Sequence, residues 1–196
     1  MKVVLATSNQ GKVAEMSSLL KQFGFDVVAQ SEFKFSDAIE DGLTFVENAI
    51  IKARHATKHT GLPAIADDSG LEVEYLQGAP GIYSARYAYD GCSSAENNKK
   101  LLQNMQGVEN RKAMFRCCLV MLKHEYDPTP IISEGKWEGR ILTEPQGING
   151  FGYDPIFYVP SHKCSAAELD KTVKKTISHR GLALAKLEKL LINQPV

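Results

Sequence analysis

Short apolar runs and longer amphipathic ones alternate along the chain, and their spacing sorts them into strands and helices. Lys2 to Ala6 is a compact apolar run that predicts a buried strand. After Gly11 and Lys12, Val13, Met16, Leu20 and Phe23 recur on one helical face, and Gly24 stops the helix. Phe25 to Val28 predicts a second strand. Thr44-Phe45-Val46-Glu47 has the form of a capping box, an acid three residues after a hydroxyl. The helix it opens should run to about His59, before Gly61 and Pro63.

Ala64 to Ala66 predicts a strand ending in Asp67-Asp68-Ser69-Gly70. A polar, helical-looking stretch follows the Gly-Ala-Pro-Gly turn at 78–81, and Met114 to Leu122 is an apolar strand. Ile131 to Ile141 holds one or two more strands, or a hairpin. Gly147 to Pro160, rich in glycine and aromatics, reads as loop. Ser178 caps a final helix whose Leu184, Leu187 and Leu191 share a face. Interleaved strands and helices predict an α/β fold, a mixed sheet sandwiched by helices.

At 196 residues the chain can bury a substantial core, and residues 1–196 are read as one domain. Lys plus Arg and Asp plus Glu both number 23, so the formal charge is zero. That argues against a partner made of nucleic-acid polymer held by bulk electrostatics, and any positive site must be a local pocket. No apolar run is long enough for a signal-peptide core or a bilayer span, so no membrane association is expected. Cys92, Cys117, Cys118 and Cys164 form no CxxC, and the adjacent pair would face opposite sides of a strand. They read as reduced thiols of a cytoplasmic protein.

Four stretches carry candidate chemistry. Thr7-Ser8-Asn9-Gln10-Gly11-Lys12 joins a strand to a helix start, where unpaired N–H groups and the helix dipole favour phosphate and Lys12 adds a point charge. It is not a Walker A motif, and an ordinary capped helix start fits it equally well. Glu40-Asp41 and Asp67-Asp68 offer oxygen ligands of the kind Mg²⁺ takes one or two at a time. Isolated acidic pairs are usually solvated, but Ser69-Gly70 next door lets backbone approach a phosphate. One member of each pair should face the site, since neighbours on an extended chain point opposite ways.

The third stretch, Gly147 to Pro155, contains Phe151-Gly152-Tyr153-Asp154, a shaped loop able to stack a base and to hold a base or ribose donor through Asp154. The fourth, Lys174 to Gly181, places His179 and Arg180 at a helix start as donors for an anion or carbonyl. Lysines there oppose the helix dipole, which hints at another use. His55 and His59 have metal-ligand spacing, but the glutamate of HExxH is missing and Lys52 and Lys58 flank them, so they read as a polar solvent face.

Taken in order, ATSNQGK, Glu40 with GLTFVENA, ADDSGL, GAPGIYSARY, GFGYDPIF and ISHRG resemble the inosine triphosphate pyrophosphatase family, also called dITP/XTP pyrophosphatases, and especially its bacterial members. The resemblance runs from about Val3 to Leu191. It implies a long central mixed sheet with two lobes and an active-site cleft between them, a homodimer, a cytoplasmic location and Mg²⁺. It implies hydrolysis of deaminated purine nucleoside triphosphates to monophosphate and pyrophosphate. Carried over by position, Thr7 to Lys12 bind the triphosphate, and Lys12 assists catalysis. Glu40 and Asp68 hold the metal, with Asp68 also the general base. Ser69 contacts substrate, Phe151, Gly152, Tyr153 and Asp154 hold base and sugar, and Lys174, His179 and Arg180 complete the phosphate and purine contacts. Two departures stand out. Asp41 replaces a common threonine, and Val173-Lys174-Lys175 replaces Glu-Lys-Asn, so Lys175 is the alternative to Lys174. The rival readings are a pyrophosphatase for modified pyrimidines or broader triphosphates, a nucleotide-binding module without turnover, and, remotely, an RNA-binding domain.

Overall fold

The computed structural model describes residues 1–192. Its strands are β1 (Lys2–Leu5), β2 (Asp26–Ala29), β3 (Ala64–Val73), β4 (Lys112–Leu122), β5 (Ile131–Ile141), β6 (Phe157–Val159) and β7 (Cys164–Ser165). Its α-helices are α1 (Gln10–Gln22), α2 (Phe45–Thr60), α3 (Ser94–Asn104), α4 (Lys171–Ile177) and α5 (His179–Ile192). The strands form one seven-stranded sheet in the order β2-β1-β3-β4-β5-β6-β7. β1 pairs parallel with β2 and β3, while β6 pairs antiparallel with β5 and β7. This is the mixed sheet with flanking helices that the sequence predicts.

The chain forms two compact units, one comprising Met1–Asp68, Cys117–Gly135 and the stretch from Leu182, the other Ser69–Arg116 and Lys136–Gly181. In the first, the period-2 alternation of strands deals side chains to two faces. Val3, Leu5, Ile65, Cys117, Leu119 and Met121 pack with Met16 and Leu20 of α1 and Ala183, Leu184 and Leu187 of α5. Val4, Ala6, Ala64, Ala66, Cys118, Val120 and Leu122 pack with Ala49, Ala53 and Ala56 of α2. Cys117 and Cys118 thus do face opposite ways. In the second unit, Leu71 and Val73 of β3 join Leu101, Phe115, Trp137, Phe157 and Val159 in a separate core.

Local signals explain where the helices begin. Asn9 caps α1 by accepting from the Lys12 N–H at 3.2 Å. Thr44 caps α2 by accepting from the Glu47 N–H, while Glu47 accepts from the Thr44 hydroxyl and the Leu43 N–H. Gly61 ends α2 in the left-handed conformation, φ 66°.

Two expectations are corrected and one open alternative is decided. β3 does not end at Asp67-Asp68 but continues through Ser69-Gly70 to Val73, because those polar side chains find partners inside the fold. Ile131 to Ile141 is a single strand, with neither break nor turn. The 147–160 stretch is not all loop, since Phe157–Val159 pairs with β5 and β7.

Candidate active site

β3 carries two neighbouring acids, and the alternation of the strand sends each to a different layer. Asp67 follows the Ile65 face toward α1, where its carboxylate is paired with the Lys12 ammonium. Asp68 follows the Ala64 and Ala66 face toward α2, where its Oδ1 lies 2.7 Å from Lys52 Nζ. The same ammonium lies 3.0 Å from Glu40 Oε2. Glu40 therefore joins Asp68 through Lys52, and Asp41 is exposed.

Lys52 is the residue that the sequence pattern hides. Its neighbours in the chain put it on a solvent face with the histidines, yet its side chain is only 13% exposed. The signal is present all the same: Ala49, Lys52, Ala53 and Ala56 share the spacing of one buried stripe. The histidines are not simply solvated either. His55 Nε2 is 2.7 Å from the Ser36 carbonyl, and the His59 ring stacks on Phe35 at 4.9 Å.

Charge in this cluster is finely balanced. Burial pushes the Asp68 carboxyl up to about 6, against the pull of Lys52. Burial also works to lower the Lys52 ammonium, but attraction to Asp68 and then Glu40 outweighs it and raises its pKa. One shift favours pairing and the other opposes it, but both leave the pair charged at neutral pH. Among the described residues, Asp68 Oδ2 is buried without a hydrogen-bond partner. A buried carboxylate oxygen with spare lone pairs, beside a second carboxylate, suits a hard divalent cation such as Mg²⁺.

Around the start of α1, Ser8, Asn9, Gln10 and Gly11 are exposed and Thr7 is half-buried. Thr7 Oγ1 accepts from the Asn9 N–H at 3.2 Å, which fixes the turn that presents the helix start.

The second unit gathers the remaining predicted residues. Asp154 Oδ2 accepts from the Phe151 N–H at 2.7 Å and is also paired with Lys174. Gly150 makes room for that carboxylate. Its φ is +80°, and an added Cβ would lie 2.9 Å from Asp154 Cγ. Asp154 is thus buried as the organiser of its own loop, while Phe151 stays 41% exposed. Lys174 Nζ and Arg180 Cζ lie 5.2 and 5.8 Å from the Phe151 ring centroid. Asn98 ties down Gly152 by donating to its carbonyl at 3.1 Å. Tyr153 is buried and donates its hydroxyl proton to the Ser84 carbonyl at 2.8 Å.

Arg180 is 2% exposed and its Nη2 lies 3.3 Å from Ser69 Oγ. The His179 ring stacks on Phe115 at 4.8 Å with the planes 11° apart, and Trp137 lies behind at 6.3 Å. Ser178 Oγ accepts from the Gly181 N–H at 3.2 Å, capping α5 as predicted. The lysines beside it do not oppose a dipole, however. They lie in the last turn of the separate helix α4, where positive charge is favoured. Of the two, Lys174 is the one paired with Asp154.

Among the described residues no helix is long and apolar enough to cross a membrane. Residues 3–190 match the model of the Ham1 family. A dITP/XTP pyrophosphatase of Vibrio vulnificus is 64% identical over 197 residues, covering 100% of this chain and 98% of that one. One of Photobacterium profundum is 64% identical over 188 residues, covering 95% of each chain. The solved structure of a HAM1 protein from Coxiella burnetii superposes with a TM-score of 0.92 at 50% identity, covering 99% of this chain and 100% of that one. An exposed helix start, carboxylates that share an ammonium and an aromatic loop flanked by cations accompany a match along nearly the whole sequence, and the chain belongs to the Ham1 family.

Proposed function

We propose that this chain hydrolyses deaminated purine nucleoside triphosphates, ITP, dITP, XTP and dXTP, at the α–β phosphate bond. The products are the nucleoside monophosphate and pyrophosphate, and the effect is to clear these nucleotides from the pool before incorporation into DNA or RNA. The observation that carries the reading is the cluster of Lys52 and Glu40 with Asp68 of the interior strand β3, in a chain 64% identical to a dITP/XTP pyrophosphatase. The match over residues 3–190 supports treating both units as one functional domain.

Water attacks the α-phosphorus, and the bond to the bridging oxygen of the β-phosphate breaks. Asp68 accepts the proton of the attacking water. Lys12 and Lys52 stabilise charge that grows on the leaving pyrophosphate. Thr7, Ser8, Asn9, Gln10 and Gly11 cradle the phosphates with the exposed start of α1. Glu40 and Asp68 would hold Mg²⁺, which would neutralise phosphate charge when bound. The pKa of about 6 at Asp68 belongs to the metal-free protein, and a cation beside it would lower that value.

The base end belongs to Phe151, Gly152, Tyr153, Asp154, Ser69, Lys174, His179 and Arg180. The exposed Phe151 face stacks a purine of any kind. Choice comes from donors. An arginine has no acceptor, so Arg180 bonds a 6-oxo group and leaves adenine's 6-amino group facing another donor. Such a mismatch can reject an analogue by roughly 10⁴–10⁵. We assign the protein to the cytoplasm and to a homodimer.

Pyrophosphate release should be measured with ITP, dITP, XTP, GTP and ATP in the presence of Mg²⁺. The reading requires the inosine and xanthosine substrates to be preferred. Equal turnover of ATP and ITP would refute the selectivity account, and no turnover of any would favour a binding module.

A further inference from the structure

The geometry points to Asp67 as the positioning residue for Lys12, with Cys117 holding the carboxylate in place. The idea rests on the reading of Lys12 as a phosphate-stabilising group. Lys12 sits just inside α1, after a turn whose residues are mostly exposed. A lysine has many rotamers, and restricting it to one costs conformational entropy. Its ammonium is nevertheless tied to Asp67, whose side chain is fully buried while that of Lys12 is 16% exposed. Asp67 belongs to β3, an interior strand of the sheet. The Cys117 thiol, on the neighbouring β4 and itself 1% exposed, donates to Asp67 Oδ2 at 3.3 Å.

The two carboxylate oxygens therefore divide the work. Oδ1 holds Lys12, and Oδ2 is held by Cys117. An anchor fixed in the core sets the reach of a cation that would otherwise sample solvent. The ordering cost of the lysine is met during folding and not at substrate binding. The arrangement has a cost as well, because a paired ammonium attracts a ground-state triphosphate less than a free one. Asp67 should then matter more to the transition state than to substrate binding.

This asymmetry sets the test. Asp67→Asn, Lys12→Ala and the double variant are compared with the full-length protein for ITP turnover and for thermal melting. In Asp67→Asn, kcat should fall by about tenfold to a hundredfold, the scale of a misplaced catalytic group. KM for ITP should stay level or fall, a split that general structural damage would not give. In the Lys12→Ala background the same substitution should change kcat by less than about twofold, because a residue acting through another loses its effect when that other is gone.

Melting gives a readout independent of ITP. Lys12→Ala takes the paired ammonium from a buried carboxylate, so adding Asp67→Asn to it should raise Tm by several degrees. If Asp67→Asn keeps wild-type kcat, if the two losses multiply in the double variant, or if the double variant melts no higher than Lys12→Ala, the assignment is overturned. Should Asp67→Asn alone fail to fold, the melting comparison in the Lys12→Ala background still decides. Should the native protein not turn over ITP while the melting coupling holds, the pair stands and the enzymatic reading is what fails.

Discussion

Replacing Gly181 with alanine tests how the start of α5 presents His179 and Arg180, the residues proposed to recognise the base. Gly181 is the third residue of α5, next to Arg180. A Cβ built there meets the Lys175 carbonyl oxygen inside van der Waals contact, and lies 2.8 Å from the Lys175 carbonyl carbon. Both atoms are backbone in the last turn of α4, so no side chain can swing aside. In an ordinary helix interior, glycine to alanine stabilises by about 1 kcal/mol. Forcing an extra carbon into a packed site costs about 1–3 kcal/mol and sometimes more. Contact with backbone places this case at the upper end, for a net loss of about 2 kcal/mol. A domain of this size loses about 2–4 °C per kcal/mol, so Tm should fall by about 4–8 °C.

Opening the corner between the two helices also moves His179 and Arg180, so KM for ITP should rise and preference over ATP should shrink. Calorimetry or a circular-dichroism melt measures the first effect, and steady-state kinetics the second. An unchanged or raised Tm would mean that the helices do not approach this closely, and the placement of Arg180 would fall with it.

Other consequences follow from the same geometry. Asp68→Asn should lose about 10²–10⁴-fold in kcat, the usual worth of a general base; near-normal turnover by coupled pyrophosphate assay would remove Asp68 from that role. Phe151→Ala should raise KM for ITP with kcat little changed, because stacking is worth about 1–3 kcal/mol per base; an unaltered KM would take the ring out of the base site. Asp127 supplies a pH test of stability. Burial pushes its carboxyl up, but bonds from the Lys123 N–H at 2.9 Å and from the Thr129 N–H and hydroxyl at 2.9 and 3.2 Å together hold it below the usual carboxylate range. Its stabilisation is therefore full above the unfolded pKa of about 3.9 and is lost as pH falls through the lower folded value. Asp127→Asn should melt lower than wild type at pH 7, with the gap narrowing as pH falls below the unfolded carboxylate value; a gap independent of pH would contradict the charge-based account.

Much of the frame is legible in the sequence because its signals are local. Capping boxes, helical spacing and the apolar run of β1 are properties of short windows, and the structure follows them. β3 reads too short because Asp67, Asp68 and Ser69 break the apolar pattern. What keeps the strand going is distant in sequence: Lys12 from α1, Lys52 from α2 and Arg180 at the start of α5. β5 is ambiguous for a related reason. Its inward positions include Ser133, Gly135 and Gly139, so strict alternation of burial shows only weakly as hydrophobicity. β7, at two residues, is too short to leave a pattern.

The candidate site is legible as residue types without their pairings. That Asp68 shares an ammonium with Glu40, and that Asp154 is paired with Lys174, depend on contacts between residues that no short window joins. Lys52 escapes notice because a lysine is a poor candidate for a buried stripe unless a carboxylate waits there.

The claim that water attacks the α-phosphorus can be tested by hydrolysing ITP in ¹⁸O-labelled water and analysing the products by mass spectrometry. The account predicts inosine monophosphate carrying the label, with unlabelled pyrophosphate beside it. Label in pyrophosphate or orthophosphate, with the monophosphate unlabelled, would contradict it.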